Sequence, residues 1–292
     1  LEQGYSPEEV KRILRAEMLV NPKKATLAAD VALFEKTLAD QTTPDTCSVY
    51  ISIPFCPTRC AYCSFVSYTT PKLLALIPDY LAKLCREIDE TFRIIRENGK
   101  RVVTVYIGGG TPTTLNETQL EILLSTVANN IDVSTLAEFT LEAGRPDTVT
   151  AEKLYAVKAN GVKRISINPQ TTNDKVLENI GRKHDSKQFF DASEIAFSVG
   201  FDTLNSDLIA GLPGDTEESF QKSLEDVIGL GFSNITVHTL SIKNAAAIRR
   251  DQMPSPKSKV INTIRKGTMI MRMSVSLLGK FIFIKIQKTD CI

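Results

Sequence analysis

The chain has 292 residues, 42% hydrophobic and 24% charged, with a formal net charge of +1. That is enough to bury a sizeable core, as one large α/β unit or as two smaller domains. With only two histidines, His184 and His238, and no tryptophan, it cannot run a mechanism built on a histidine cluster. Six cysteines, three of them within eight positions, do not make a disulfide scaffold at this size. No stretch approaches the ~20 apolar residues of a spanning helix, and the N-terminus lacks the apolar run of a secretory signal. A reducing, cytoplasmic setting is expected, with no membrane span and no nucleic-acid partner.

The near-neutral total hides an asymmetry. Residues 241–292 hold eleven Lys or Arg against two acids, and residues 1–240 hold 24 basic against 32 acidic residues. The expected organisation is an N-terminal helical segment over 1–46, a core over 47–242 and a basic tail over 243–292. The opening stretch reads as the middle of a longer chain. Two readings of the tail stay open: a poorly packed or non-native end, such as a change of translation frame, or a basic amphipathic surface-binding segment.

In chain order, Ser6 followed by Pro7 and glutamates opens a first helix, and a second covers Lys23 to Leu38. From Ser48 the pattern alternates strand and helix. SVYISI is the first strand, followed by a long helix from about Leu73 to Asn98 with apolar Tyr80, Leu81, Leu84, Ile88, Phe92 and Ile95 at helical spacing. RVVTVYIGGG, EFTLEAG, VKRISINPQ, FDTLNSDLIAGLP and NITVHTL are the next five strands, with helices between them. Such alternation requires parallel pairing, in an open doubly wound sheet or a curved partial barrel. Both gather functional groups at the C-terminal strand ends. The unusual residues fall there: three cysteines after strand 1, three glycines after strand 2, Glu142, Gln170 and Asp207.

Cys56, Cys60 and Cys63 supply three thiolates and no nearby histidine. Structural zinc takes four protein ligands, so a zinc reading is incomplete. A [4Fe–4S] cluster usually takes four thiolates as well, and a loop offering three leaves one iron open to an exogenous ligand.

The stretch YISIPFCPTRCAYCSF resembles the cluster loop of the radical S-adenosylmethionine (SAM) enzymes, and within them the oxygen-independent coproporphyrinogen III oxidase/dehydrogenase-like family. The resemblance runs from about Ser48 to Lys243 and takes in YIGGGTPTTL, FTLEAGRPD, GVKRISINPQT, IGRKHD and SDLIAGLPG in the family's order. It implies an α/β fold, a partial (β/α)6 TIM-like radical SAM barrel with N-terminal helices and an irregular C-terminal tail. It also implies a [4Fe–4S] cluster on the three cysteines, with SAM chelating the open iron.

By the same resemblance Tyr62 packs near the adenine, and Tyr50 joins the cofactor contacts from strand 1. Gly108, Gly109 and Gly110 offer backbone carbonyls to the methionine amino group, where a Cβ would collide, and Thr111 shapes their turn. Glu142 meets the amino group or ribose, Gln170 and Asp207 meet the ribose and polar tail, and Arg182 pairs with the SAM carboxylate. Plainer readings stand beside these: Tyr62 and Phe65 as apolar walls, and Arg182 and Asp207 as structural ion-pair members. His184 is expected to be a solvated surface group and His238 a hydrogen-bonded core residue.

The implied reaction is oxidative decarboxylation of coproporphyrinogen III to protoporphyrinogen IX in haem biosynthesis. A 5′-deoxyadenosyl radical starts it, with a donor such as flavodoxin or ferredoxin supplying electrons. A tetra-anionic porphyrinogen needs cations at the barrel mouth, for which Arg59, Arg145 and Arg164 are candidates. Three alternatives are a haem-trafficking paralogue that binds haem without turnover, a radical SAM enzyme with another substrate, and a metal-binding module that never cleaves SAM. The chain departs from the best-known oxidase branch at Phe65, where that branch has a further cysteine, at Ser52, where it often has histidine, and after about Lys243.

Overall fold

The computed structural model describes residues 3–39, 43–65, 67–242 and 246–248. The readings of the basic tail therefore fall almost wholly outside the described residues. The contacts divide the molecule into two compact units: residues up to Cys47 with Gly99–Arg101, and Ser48–Asn98 with the described residues from Val102 onward.

In the first unit, α1 (Pro7–Ala16) starts as its sequence requires. The Ser6 side chain accepts from the Glu9 N–H and the Glu9 carboxylate accepts from the Ser6 N–H, a reciprocal capping box. Helix α2 (Pro22–Ala39) pairs with α1 through Arg15 on Thr26 at 3.2 Å and Lys11 on Asp30 at 3.7 Å.

The second unit is built on a six-stranded sheet in the order β1-β2-β3-β4-β5-β6. The strands are β1 (Thr46–Ile53), β2 (Arg101–Gly109), β3 (Glu138–Glu142), β4 (Arg164–Ser166), β5 (Thr203–Ala210) and β6 (Asn234–Thr239), and β2 to β6 pair in parallel throughout. The connecting helices are α3 (Pro71–Leu74), α4 (Ile77–Glu97), α5 (Glu117–Asn130), α6 (Ala151–Ala159), α7 (Asp174–Asn179), α8 (Ser186–Val199) and α9 (Glu217–Leu230). A doubly wound sheet reverses its strand order at a switch point. This order never reverses, which selects the partial-barrel alternative, with the sheet left unclosed between β1 and β6.

Strand alternation divides the sheet into two chemically different faces. One face carries Val105, Ile107, Phe139, Leu141, Ile165, Ile167, Leu208 and Val237, all buried. Removing such side chains from water contributes about 1.5–3 kcal/mol each. The alternate positions are polar: Ser48, Thr104, Tyr106, Glu138, Thr140, Glu142, Arg164, Ser166, Asn205, Asp207, Thr236 and His238. They bond across strands, with Thr104 on Ser48 at 2.8 Å, Asn205 on Ser166 at 2.7 Å and Thr236 on Asn205 at 3.2 Å. A closed eight-stranded barrel fills its interior with bulky branched side chains; this face carries polar side chains instead.

Two expected elements are shorter than their sequence pattern. The long helix breaks into α3 and α4 because Pro78, in the first turn of α4, has no N–H for an upstream carbonyl. Strand β4 stops at Ser166, well before Gln170: Pro169 cannot donate to the ladder, and the Asn168 side chain takes the Asp207 N–H at 3.1 Å.

Candidate active site

The three cysteines lie on the loop after β1. Cys56 is 9% and Cys60 8% exposed, Cys63 is half-buried, and all three are free thiols. Backbone bonds fix the loop from several sides. Cys56 N donates to Tyr68 O at 3.1 Å, Cys63 N to Cys60 O at 3.0 Å, Ala61 N to Ile180 O at 2.9 Å, and Ile248 N to Ala61 O at 3.0 Å. Burial pushes the Cys56 and Cys63 thiols up, and the neighbouring thiolates push Cys56 further. The fold thus holds three thiols whose charged forms repel one another, a cost that a bound cationic centre removes. Among the described residues no three His, Cys, Asp or Glu donors converge on a single ion.

The glycines after β2 press against this loop. A Cβ on Gly110 would stand 2.7 Å from Phe55 O and 2.9 Å from Cys56 Sγ. Gly109, at φ +106°, would put one 2.7 Å from Ser52 Oγ. Their glycine requirement comes first from the close approach of β1 and the cysteine loop. Gly108 faces the sheet's polar side, where a Cβ would stand 3.1 Å from Glu142 Oε2. Thr111, buried beside them, donates its N–H to Phe55 O at 2.8 Å and its hydroxyl to Cys56 Sγ at 3.4 Å.

On the polar face Glu142 accepts a hydrogen bond from the Tyr106 hydroxyl. Burial pushes its carboxyl up, with the Tyr106 hydroxyl and the Gly109 N–H opposing and nearby Asp207 assisting. Tyr50 stacks on Tyr106 with ring centroids 5.8 Å apart, and remains 60% exposed. Asp207 accepts from Asn205 Nδ2 at 2.9 Å and stands 3.6 Å from His238 Nε2. His238, expected in the core, is thus a half-exposed member of this face. Gln170 sits at the left-handed φ of +70° with its Oε1 buried and unpartnered. Such a conformation is uncommon for a residue with a side chain and gathers at ligand sites.

Behind the loop the arrangement differs from the sequence reading. Arg182 donates through Nη1 to Asn168 O at 2.8 Å and Gly144 O at 3.2 Å, and through Nη2 to the Tyr62 hydroxyl at 3.0 Å, leaving a buried, unpartnered Nε. Tyr62 packs on Val176, Leu177, Ile180, Ile209 and Leu212. Phe65 is 66% exposed and walls off nothing. His184, expected to be solvated, is 2% exposed with Nδ1 4.0 Å from Asp147 Oδ1, and burial beside Arg182 lowers its pKa to about 3. Arg145, a candidate for substrate carboxylates, is 3% exposed and holds Asp147 with two bonds of 3.0 Å. Arg164 leans on Glu138 at 3.4 Å. Tyr106, Asn168 and Asp147 are site residues beyond the sequence reading; for the first two the signal is the two-residue strand period that puts Tyr106 level with Gly108 and Asn168 with Ser166.

The donor set fits an iron–sulfur centre: three thiols on one loop, two of them buried and one half-buried, with orphaned buried polar atoms on Gln170 and Arg182 nearby. A family model for the radical SAM superfamily matches residues 50–227. This chain belongs to the radical SAM superfamily. The superfamily works with a [4Fe–4S] cluster and SAM. The oxygen-independent coproporphyrinogen-III oxidase-like protein HemZ of Bacillus subtilis is 35% identical over 257 residues, 86% of this chain and 51% of that protein. The heme chaperone HemW of the same organism is 35% identical over 223 residues, 76% of this chain and 54% of that protein. The solved coproporphyrinogen III oxidase HemN of Escherichia coli, a radical SAM enzyme, superposes with a TM-score of 0.70 at 27% identity, over 81% of this chain and 55% of that one. The radical SAM chain therefore spans about half the length of the relatives it matches. No helix among the described residues is long and apolar enough to cross a membrane.

Proposed function

We propose that this radical SAM chain binds SAM against its polar sheet face and cleaves it reductively to act on a tetrapyrrole. The observation that carries the reading is the placement of Cys56, Cys60 and Cys63 above a sheet face bearing Glu142 and Asp207. When bound on those cysteines, the cluster supplies one electron to the SAM sulfonium, releasing methionine and a 5′-deoxyadenosyl radical. The chain's own part is ligation, orientation and exclusion of water. Its three thiolates would hold the cluster and would leave one iron for the SAM amino and carboxylate groups. Glu138 and Asp207 outnumber Arg164 on the face below, and a cationic ammonium or sulfonium beside Glu142 draws its carboxyl into the charged form that the fold by itself disfavours. Gln170 Oε1 is an acceptor waiting for a hydroxyl donor, which the ribose provides. Tyr106 holds the Glu142 carboxylate in one orientation, and Gly108 makes the room that the Tyr106 ring and that carboxylate occupy.

The relatives named as coproporphyrinogen III oxidase-like (HemZ) and coproporphyrinogen III oxidase (HemN) support oxidative decarboxylation of a porphyrinogen propionate; a flavodoxin- or ferredoxin-type donor is our own addition to that reading. The relative named HemW supports a second reading, in which haem is bound without turnover. Both place a tetrapyrrole next to the site, and the charge of the sheet face bears on them. A tetracarboxylate meets more carboxylates than cations on that face, so its counter-charges must come from outside it. The deciding assay supplies anaerobically reconstituted protein with dithionite, SAM and coproporphyrinogen III. 5′-Deoxyadenosine with the divinyl product supports decarboxylation. 5′-Deoxyadenosine without it, together with stoichiometric haem retention, supports the carrier reading. Absence of both products and of haem binding overturns the tetrapyrrole assignment.

Glu142→Gln separates binding from stability. Its folded pKa is raised, so the neutral acid is the form the fold prefers. The stability it contributes is complete below the unfolded pKa and is lost as pH rises through the folded one. At pH 8 the variant is therefore expected to melt above the wild type, with the gap closing as pH falls into the acid range. Calorimetry across pH 4–8 checks this. SAM affinity should fall by roughly tenfold or more, the loss of one charge-assisted hydrogen bond, read by equilibrium dialysis. A variant that is less stable at pH 8 and binds SAM as well as the wild type contradicts the assignment.

A further inference from the structure

Arg145 is a buried cation whose donors meet the cysteine loop. It lies beyond the C-terminal end of β3, is 3% exposed, and directs its guanidinium at the cysteine loop. Nε and Nη2 grip the two oxygens of Asp147 at 3.0 Å each. Nη1 donates to Thr58 Oγ1 at 3.0 Å and Thr58 O at 3.4 Å, and approaches Cys60 Sγ at 3.7 Å. Thr58 lies between the first two cysteines, and its hydroxyl also reaches Gly181 O at 3.3 Å. A buried charge is retained only when paired and hydrogen-bonded. Asp147 does the pairing, and what remains of the fork is spent on the loop and on one sulfur.

We infer that Arg145 is a positioning residue that also sets the reduction potential of the cluster held by Cys56, Cys60 and Cys63. The inference rests on the radical SAM assignment of those cysteines. Uptake of one electron from a low-potential donor adds a negative charge to the cluster and its thiolates. An N–H on the Cys60 sulfur and a cation behind it stabilise the reduced state and raise the potential, since hydrogen bonds to sulfur and net charge are principal levers on such centres. Asp147 moderates the effect by cancelling part of the cation's field. The pair therefore acts as a two-part setting, with members pulling in opposite directions. This takes Arg145 out of the group of candidate substrate cations, because its donors face the loop and not the sheet's polar side.

The test compares wild type, Arg145→Met and Asp147→Asn after anaerobic reconstitution, without SAM. Iron and sulfide are counted per chain, and the reduced cluster is titrated with dithionite in mediators and followed by electron paramagnetic resonance. Arg145→Met is expected to be harder to reduce, its oxidised-to-reduced ratio at a fixed potential rising about tenfold, which for a one-electron couple is ~59 mV. Asp147→Asn is expected to shift the opposite way. A role confined to holding the loop would lower the iron count but leave the potential of the clusters that form unchanged, and that result in both variants overturns the inference. If Arg145→Met retains no iron, Asp147→Asn decides: easier reduction supports the inference, and unchanged or harder reduction overturns it. A wild type that takes up no iron and sulfide overturns the premise instead, and the metal count tells the two failures apart.

Discussion

Replacing Cys60 with Ala is expected to strip the protein of its iron–sulfur centre and reduce SAM cleavage to background. Cys60 is buried, takes a hydrogen bond from Arg145, and follows directly on the Thr58 turn that Arg145 and Gly181 fix. Its neighbours are committed elsewhere, and Cys47 and Cys85, free and half-buried, lie on β1 and α4 and not on this loop. With two thiolates left, the centre has no third thiolate anchor among the described residues, and water enters where the sulfur was. The fold itself should survive, because the thiol contributes to none of the strand pairings. Iron per chain and 5′-deoxyadenosine per chain are therefore predicted to collapse together while the melting transition of the apo-protein stays within about 1 kcal/mol of wild type. Cleavage at the wild-type rate by Cys60→Ala would falsify the assignment of the loop.

Gly110→Ala is the second large effect, and it acts through packing alone. Gly110 does not adopt a left-handed backbone, so alanine suffers no conformational penalty there. What it lacks is room. The added Cβ meets Phe55 O at 2.7 Å, Ile53 O at 2.9 Å and Cys56 Sγ at 2.9 Å. Two of these are backbone atoms that cannot rotate away, so either β2 or the cysteine loop must move. Overpacking of this kind costs about 3 kcal/mol at the upper end, roughly 6–12 °C in Tm for a chain of this length. The moved loop also carries Cys56, so cluster occupancy falls with stability. Gly229→Ala is the control: it sits in α9 with nothing within 4 Å of the new methyl, and should stabilise by about 0.5–1 kcal/mol. Thermal denaturation of the three proteins reads both signs.

Much of this organisation is legible in the chain. The strand period of two is visible in RVVTVYIGGG and FTLEAG, and it separates the buried Val105, Ile107, Phe139 and Leu141 from the polar Tyr106, Gly108 and Glu142. The cysteine spacing and the run of ordered motifs point to the same end of the sheet. What the chain conceals is the directions that tertiary packing imposes. Arg145 and Arg182 look like ligand-facing cations in sequence, yet Asp147, Thr58, Asn168, Gly144 and Tyr62 take most of their donors and leave Arg182 Nε unpartnered. His184 beside Lys183 and Asp185 reads as a surface residue, but the loop turns it inward behind the same guanidinium groups. Gly109 and Gly110 read as a ligand cradle, whereas their missing side chains make room for β1 and Cys56. The break before α4 was readable from Pro78. The early end of β4 depends on a side chain, Asn168, taking over a ladder position.

The most direct measurement is reductive SAM cleavage without any added substrate. Anaerobic protein with a full iron and sulfide count is mixed with dithionite and SAM, and 5′-deoxyadenosine and methionine are quantified by mass spectrometry over time. The account predicts that both products form in equal amounts, depend on the reductant, and are absent from Cys60→Ala. A fully loaded protein that binds SAM and yields neither product under these conditions would contradict it, leaving the cysteine loop as a metal-holding element without radical chemistry.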